Sequence, residues 1–245
     1  MQPVTITQCS FSRDRSTSQA RRPVVTAGSV SGPARAAMRS SFSVFRVLLV
    51  HSICVFSGSS PGARAEYAAA ARALGTELAA RGTRLVYGGA SIGLMGVVAD
   101  TVLAAGGEVV GVIPQQLVDK EVAHRSLSDL RVTASMHERK ALMAELSDGF
   151  VALPGGYGTL EEFAEVLTWS QLGLQHKPCG LLNVAEFYRP LLAFFDHAVT
   201  ERFVRAEHRD LVLADTDAAR LLDAFDTWTP PTLDKWLDRT SPPAP

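Results

Sequence analysis

Long hydrophobic runs are missing from this chain. The longest, residues 44–56, is interrupted by Arg46 and His51. It falls short of the roughly 20 apolar residues that cross a bilayer as a helix, so no membrane association is expected. Cysteine is scarce. Cys9, Cys54 and Cys179 have spacings that give neither a disulfide framework nor a metal-ligand set. Cys54 and Cys179 lie in apolar runs and read as buried thiols in a reducing compartment, which points to the cytoplasm. The segment His137-Glu138-Arg139-Lys140-Ala141 lacks the second histidine of a zinc helix, so no metal is expected. There is no Gly-x-Gly-x-x-Gly turn for NAD and no glycine-rich loop ending in Lys-Ser/Thr for a P-loop. Acidic residues are nearly absent from the start: residues 1–46 hold seven arginines and one acid, Asp14. The remainder carries a net charge of −7, so it lacks the basic face that general nucleic-acid binding requires.

What remains is 245 residues at 47% hydrophobic content, enough for one sizeable α/β domain. Residues 1–45 are rich in Ser, Arg and Ala and have no clear period. They read as a disordered tail, a transit-like peptide that would imply organellar targeting, or an overextended start with initiation near Met38. Residues 229–245, with five prolines, read as a second tail, leaving 46–228 as the folded domain.

Within that domain strand and helix patterns alternate. Strands are expected at 46–56, 84–87, 108–113, 150–153, 179–182 and 211–213. Helices are expected from Pro61-Gly62 to Arg81-Gly82, then at 93–105, 136–147, 159–172, 185–202 and 216–225, with a polar connector over 115–133. Continuous apolar strands alternating with helices predict a Rossmann-like, doubly wound parallel sheet flanked by helices. Sites in such folds lie at the carboxyl ends of strands, where two glycine-rich turns fall.

One of these is Leu153-Pro154-Gly155-Gly156-Tyr157-Gly158-Thr159-Leu160-Glu161-Glu162. An apolar strand runs into a glycine-rich turn and then a helix. Free N–H groups at a helix N-terminus favour an anion such as phosphate, and glycines allow close approach. The same turn can equally be simple punctuation between strand and helix. Glu162 has two readings as well. Thr159-Leu160-Glu161-Glu162 fits a capping box, with Thr159 as N-cap and Glu162 reaching back to it. Alternatively, a carboxylate kept ionised by the helix N-terminus can stabilise positive charge growing on a ribose. Glu161, about 100° round the helix, should point elsewhere. Arg139 and Lys140 are either a solvated basic pair or, opening a helix that leads into the strand before the loop, part of the site. Gly88, Gly89, Gly93 and Gly96 either serve packing or form a second turn at the site.

Four blocks carry a specific resemblance: Ser57-Gly58-Ser59-Ser60-Pro61-Gly62, Val86 to Gly96, Met136-His137-Glu138-Arg139-Lys140, and Pro154-Gly155-Gly156-Tyr157-Gly158-Thr159 with Glu162. Their order and spacing resemble the Lonely Guy (LOG) family, cytokinin riboside 5′-monophosphate phosphoribohydrolases often mislabelled as lysine decarboxylases. The match runs from about Ile53 to Val204. Ser57 stands where many members have Cys, and the N-terminal extension is atypical.

The resemblance implies hydrolysis of the N-glycosidic bond of an N6-substituted adenosine 5′-monophosphate, without metal or organic cofactor. Arg139 and Glu162 would be the catalytic pair. Glu121, Lys140, Gly155, Gly156, Tyr157, Gly158, Thr159, Leu160, Glu161, Thr168, Gly88 and Gly89 would bind substrate and its phosphate. Thr168 could instead be helix packing. Family members usually form homodimers; Phe163, Val166, Leu167 and Trp169 offer an interface, or equally core. Two alternatives remain: a less selective purine or pyrimidine 5′-monophosphate nucleosidase, and a non-catalytic carrier resembling molybdenum-cofactor carriers.

Overall fold

The computed structural model describes residues 50–118, 123, 124, 126, 127 and 129–231. Residues 1–45, most of the proline-rich stretch after 229, and Glu121 lie outside the described residues.

Seven strands form one parallel sheet: β1 (Ser52–Phe56), β2 (Arg84–Tyr87), β3 (Val109–Pro114), β4 (Asp129–Thr133), β5 (Gly149–Ala152), β6 (Cys179–Leu182) and β7 (Val212–Asp215). The helices are α1 (Ala65–Ala80), α2 (Gly93–Ala104), α3 (Gln115–Val118), α4 (Met136–Glu145), α5 (Tyr157–Gln171), α6 (Arg189–Thr200), α7 (Ala206–Arg209) and α8 (Ala218–Asp226). The strand order is β4-β3-β2-β1-β5-β6-β7. The chain therefore winds outward from β1 in one direction and, after β4, returns to β1 and winds outward in the other. The crevice between β1 and β5 is the topological switch point, where such sheets place their ligands.

Side-chain alternation splits the core into two layers. Ile53 and Val55 of β1 point to the face covered by Leu74 and Leu78 of α1, Val98 and Val102 of α2, and Leu221 and Phe225 of α8. Cys54 and Phe56 point to the opposite face with Met143 of α4, Phe163 and Val166 of α5, and Leu191 and Phe195 of α6. Burial on both faces explains why the central strands are almost purely apolar. It also pushes the Cys54 thiol well above its ordinary pKa and that of Cys179 up to about 12, so both are inert. Phe163 and Val166 are core, which removes them from any interface. Among the described residues no helix is long and apolar enough to cross a membrane.

The 115–133 connector contains α3 and the edge strand β4, neither of which the sequence pattern signals. All five β4 residues are only half-buried, so the segment Asp129-Leu130-Arg131-Val132-Thr133 carries no continuous apolar run. The expected helix from 185 is also displaced. A 3₁₀ turn at Val184–Glu186 holds Ala185 at φ 48° and Glu186 at φ 61°, and α6 begins only at Arg189, with Pro190 in its first turn. Proline is compatible with the first helical turn, where its missing N–H is not needed.

Candidate active site

The loops after β1 and β5 are stitched together across the switch point. Gly58 N–H donates to Pro154 O at 3.1 Å, and Leu94 N–H at the start of α2 donates to Gly58 O at 3.0 Å. Gly58 has Gly155 Cα and Pro154 O at 3.3 Å from where a Cβ would stand. Gly93 adopts φ +58°, and a side chain there would collide with the backbone of Ser59 and Ser60. These glycines are explained by close packing of main chain on main chain. Between the loops opens a cleft of about 230 Å³ lined by residues 58–62 and 154–156, with Tyr67, Leu94 and Phe187.

At one wall of that cleft α5 begins at Tyr157, with Gly156 as a cap residue that makes no side-chain bond. The first-turn N–H groups have no acceptor within the helix, by helix geometry. Gly156 and Gly158 differ from the other glycines: a Cβ on either would meet nothing within 4 Å, and neither has positive φ. Neither packing nor backbone conformation requires glycine there. Open space in front of free N–H groups is what an anion needs. Tyr157, between them, is 94% exposed.

The start of α5 overturns the capping-box reading. Because the helix begins two residues before Thr159, that residue falls in the first turn rather than at the cap, and Glu162 falls in the second. The Thr159 side chain is buried, filling the space that Gly155 leaves by lacking a Cβ. A side-chain cap does form at α4: Glu138 N–H donates to Ser135 Oγ at 3.1 Å, and Glu138 Oε2 accepts from the N–H of Ala134, one residue before the cap, at 3.0 Å.

Glu162 turns inward to Arg139, whose Nη1 donates to Glu162 Oε1 at 2.6 Å. Both residues are buried, 7% exposed for Arg139 and 9% for Glu162. Arg139 Nε donates to Val112 O at 3.0 Å, and its Nη2 occupies the place of a Cβ on Gly88. The guanidinium is thus fixed by β3, by the Gly88-Gly89 turn and by α5. Burial pushes the Glu162 carboxyl above its usual range, while the charge and hydrogen bond of Arg139 pull it back. Arg139 is thus the main group that favours the ionised carboxylate, against a burial that outweighs it.

Lys140, one position round α4, is held by α5 carboxylates: Nζ lies 2.5 Å from Glu161 Oε1 and 3.2 Å from Glu165 Oε2. The Glu161 bond is the main reason that its pKa is raised. Glu161 does point away from Glu162, as expected from helical geometry. Thr168 is exposed on α5, and its hydroxyl donates to Ala164 O at 2.7 Å. Its six-residue separation from Glu162 is about 9 Å along the helix, so within this chain it is not gathered with the pair. Gly89 adopts φ +73°. The structure thus brings together Arg139, Glu162, Gly88 and the 155–159 loop, and leaves Thr168 apart.

Two cleft residues carry no sequence signal. Tyr67 fits the apolar spacing of α1 and reads as core, and Phe187 falls in a stretch that reads as helix. In the structure they meet edge to face, with ring centroids 5.8 Å apart. Phe187 in turn packs edge to face on Tyr188, whose OH donates to Leu153 O at 2.6 Å. The strained turn before α6 is thereby tied to the root of the glycine-rich loop. Among the described residues no three His, Cys, Asp or Glu side chains cluster so as to hold a metal ion.

The fold is a doubly wound α/β sheet with a glycine-rich helix start at its switch point and a buried Arg–Glu pair beside it, an arrangement whose free N–H groups can hold a small anion. Similarity to known proteins narrows this further. The family model described as "Possible lysine decarboxylase" matches residues 95–225. A cytokinin riboside 5′-monophosphate phosphoribohydrolase of Arabidopsis thaliana is 48% identical over 178 residues, 73% of this chain and 84% of that one. One from Oryza sativa subsp. japonica is 49% identical over 178 residues, 73% of this chain and 74% of the relative. The chain belongs to the LOG family of these phosphoribohydrolases. A molybdenum cofactor binding protein from Rippkaea orientalis has the same fold, with a TM-score of 0.54 over 70% of this chain and 93% of that one, at 23% identity.

Proposed function

We propose that the chain hydrolyses the N-glycosidic bond of N6-substituted adenosine 5′-monophosphates, releasing the free base and ribose 5-phosphate. The observation that carries this reading is the 2.6 Å Arg139–Glu162 pair, buried beside a helix start whose Gly156 and Gly158 face open space. The 5′-phosphate binds the first-turn N–H groups of α5, which places the ribose toward the second turn, where Glu162 stands. As the C1′–N9 bond breaks, its electron pair leaves with the base and positive charge grows on the ribose. The Glu162 carboxylate stabilises that charge and orients water, whose oxygen forms the new bond to C1′ while the water's protons balance the departing base and the product. Arg139 keeps Glu162 ionised in its buried setting and fixes its direction. Such preorganised charge costs little reorganisation during reaction.

Three further elements belong to this proposal. Residues 46–228 form the catalytic unit, so a chain trimmed to them should keep activity. The protein acts as a homodimer, for which exposed Leu174, Phe194 and Phe203 offer apolar surface. It needs neither metal nor organic cofactor, so EDTA should leave turnover unchanged.

The test is product analysis with isopentenyladenosine 5′-monophosphate, its nucleoside and AMP, using the wild type and Glu162→Gln. Expected are base and ribose 5-phosphate from the nucleotides, little from the nucleoside, and a loss of roughly a hundredfold or more in Glu162→Gln. Nucleotide binding without product would favour a carrier. Equal cleavage of nucleoside and nucleotide would remove the phosphate from the argument.

A further inference from the structure

The Gly88-Gly89 turn has no side chains with which to hold its own shape, yet Arg139 rests directly against it. Nη2 of Arg139 fills the position of the absent Gly88 Cβ, so any shift of this backbone redirects the guanidinium. Something else must fix the turn. Gly89 O accepts from His124 N–H at 2.8 Å, and Ala90 forms an isolated antiparallel bridge with Ala123. His124 is only 4% exposed, and both ring nitrogens are engaged. Nε2 lies 2.9 Å from Asp100 Oδ1, on the α2 helix that the turn leads into, and Nδ1 lies 2.9 Å from Ser126 Oγ.

We propose that His124 is a positioning residue for Arg139, acting by clamping the Gly88-Gly89 turn between its own main chain and Asp100 of α2. The inference rests on the reading of Arg139 and Glu162 as the reacting pair. The clamp has two arms. The main-chain arm holds the carbonyl of Gly89. The ring arm ties the clamp to α2, so the two flanks of the turn move as one body. A neutral ring donating from Nε2 to Asp100 and accepting from Ser126 at Nδ1 satisfies every partner, and so does a protonated ring donating from both nitrogens. The clamp therefore holds in either charge state.

If the clamp loosens, phosphate binding at α5 is untouched, because the Gly156 and Gly158 N–H groups belong to a different loop. What suffers is the direction of Arg139. Misplacement of a reacting group by about 1 Å lowers turnover by roughly a hundredfold. The expected signature is a fall in kcat with KM little changed.

The experiment is a kinetic double-mutant cycle. His124→Ala, Arg139→Ala and the double variant are compared for ribose 5-phosphate release and melting temperature, with His124→Gln as the conservative replacement. His124→Ala should lower kcat by roughly ten- to a hundredfold with KM within about twofold. His124→Gln, whose amide can still donate to Asp100, should recover part of the loss. In the Arg139→Ala background the His124 substitution should have little further effect, because groups acting as a unit are non-additive. Asp100→Asn, at a side chain 69% exposed, loosens the ring arm without opening the core. It should lower kcat in the same direction, again only when Arg139 is present. Equal losses with and without Arg139 would refute positioning, since a general structural defect is blind to that residue. An Arg139→Ala protein with normal turnover would instead overturn the reading of the reacting pair, and the clamp's role would fall with it.

Discussion

Adding one methyl group at Gly88 tests the geometry of the pair without substituting either partner. In Gly88→Ala the new Cβ lands on Arg139 Nη2, with Met95 Sδ 3.2 Å away. The end of an exposed arginine would swing aside at little cost. This one is buried and bonded at Nε to Val112 O and at Nη1 to Glu162. Withdrawal breaks at least the Nη1 bond, and a hydrogen bond to a charged group contributes about 1.5–3 kcal/mol. It also leaves the Glu162 carboxylate short of the cation that holds its charge. Overpacking adds strain of about 1–3 kcal/mol. Together these lower the melting temperature by roughly 5–20 °C, at about 2–4 °C per kcal/mol for a domain of this size. Turnover should fall much further, by roughly a hundredfold, because the displaced group acts on the transition state. The assay is ribose 5-phosphate release beside thermal unfolding of the same sample. A Gly88→Ala protein with turnover within about threefold of wild type and an unchanged melting temperature would refute the claim that the space belongs to Arg139.

Other substitutions separate stability from activity. Gly158→Ala places a methyl where nothing lies within 4 Å, so the helix should gain about 0.4–1 kcal/mol while affinity for the nucleotide drops; a stabilised variant with unchanged KM would mean that the phosphate sits elsewhere. Glu186→Gly relieves a non-glycine residue at φ 61° and should raise stability by about 1 kcal/mol; a lower melting temperature would show that the turn is not strained there. Burial raises the Glu162 pKa above the ordinary value, so the acid limb of kcat should lie above about 4.3, and Arg139→Ala should move it higher by removing the opposing charge. For stability the sign is that of a raised pKa: the folded state holds the Glu162 proton longer than the unfolded state. This contribution is present at low pH and is lost as pH rises from the ordinary value through the raised one. Glu162→Gln should abolish that part of the pH dependence in thermal unfolding.

The central sheet was legible because its strands are apolar on both faces, and β2 runs directly into a glycine turn. The 84–87 and 179–182 strands were expected where the structure has them. What escaped was set by other forces. β4 is an edge strand of half-buried residues, held by register with β3, so composition conceals it. The capping box at Thr159 stands as one of two sequence readings because a Thr-x-x-Glu pattern does not say where a helix starts. The helix starts earlier, with Tyr157 and Gly158 in its first turn, and a buried arginine 23 residues upstream pairs with Glu162. The Arg139–Glu162 pairing entered through family resemblance, since spacing alone could not bring α4 to α5. Tyr67 and Phe187 were invisible as a pair because 120 positions separate them and neither local pattern is polar.

The ring of Phe225 lies over Gly149 of β5 and Gly180 of β6, filling the room that two missing side chains leave. The helix that carries it, α8, is the last regular element among the described residues, while β5 sits beside β1 at the middle of the sheet. The final helix thus seals the sheet near its centre rather than at its margin. During synthesis β5 and β6 can pair as they emerge, but the glycine-lined trough on that face stays open until residue 225 arrives. Contacts that close over such long sequence separations form slowly and leave apolar surface exposed meanwhile. A nascent chain halted before Phe225 therefore has both strands made and the core between them still wet.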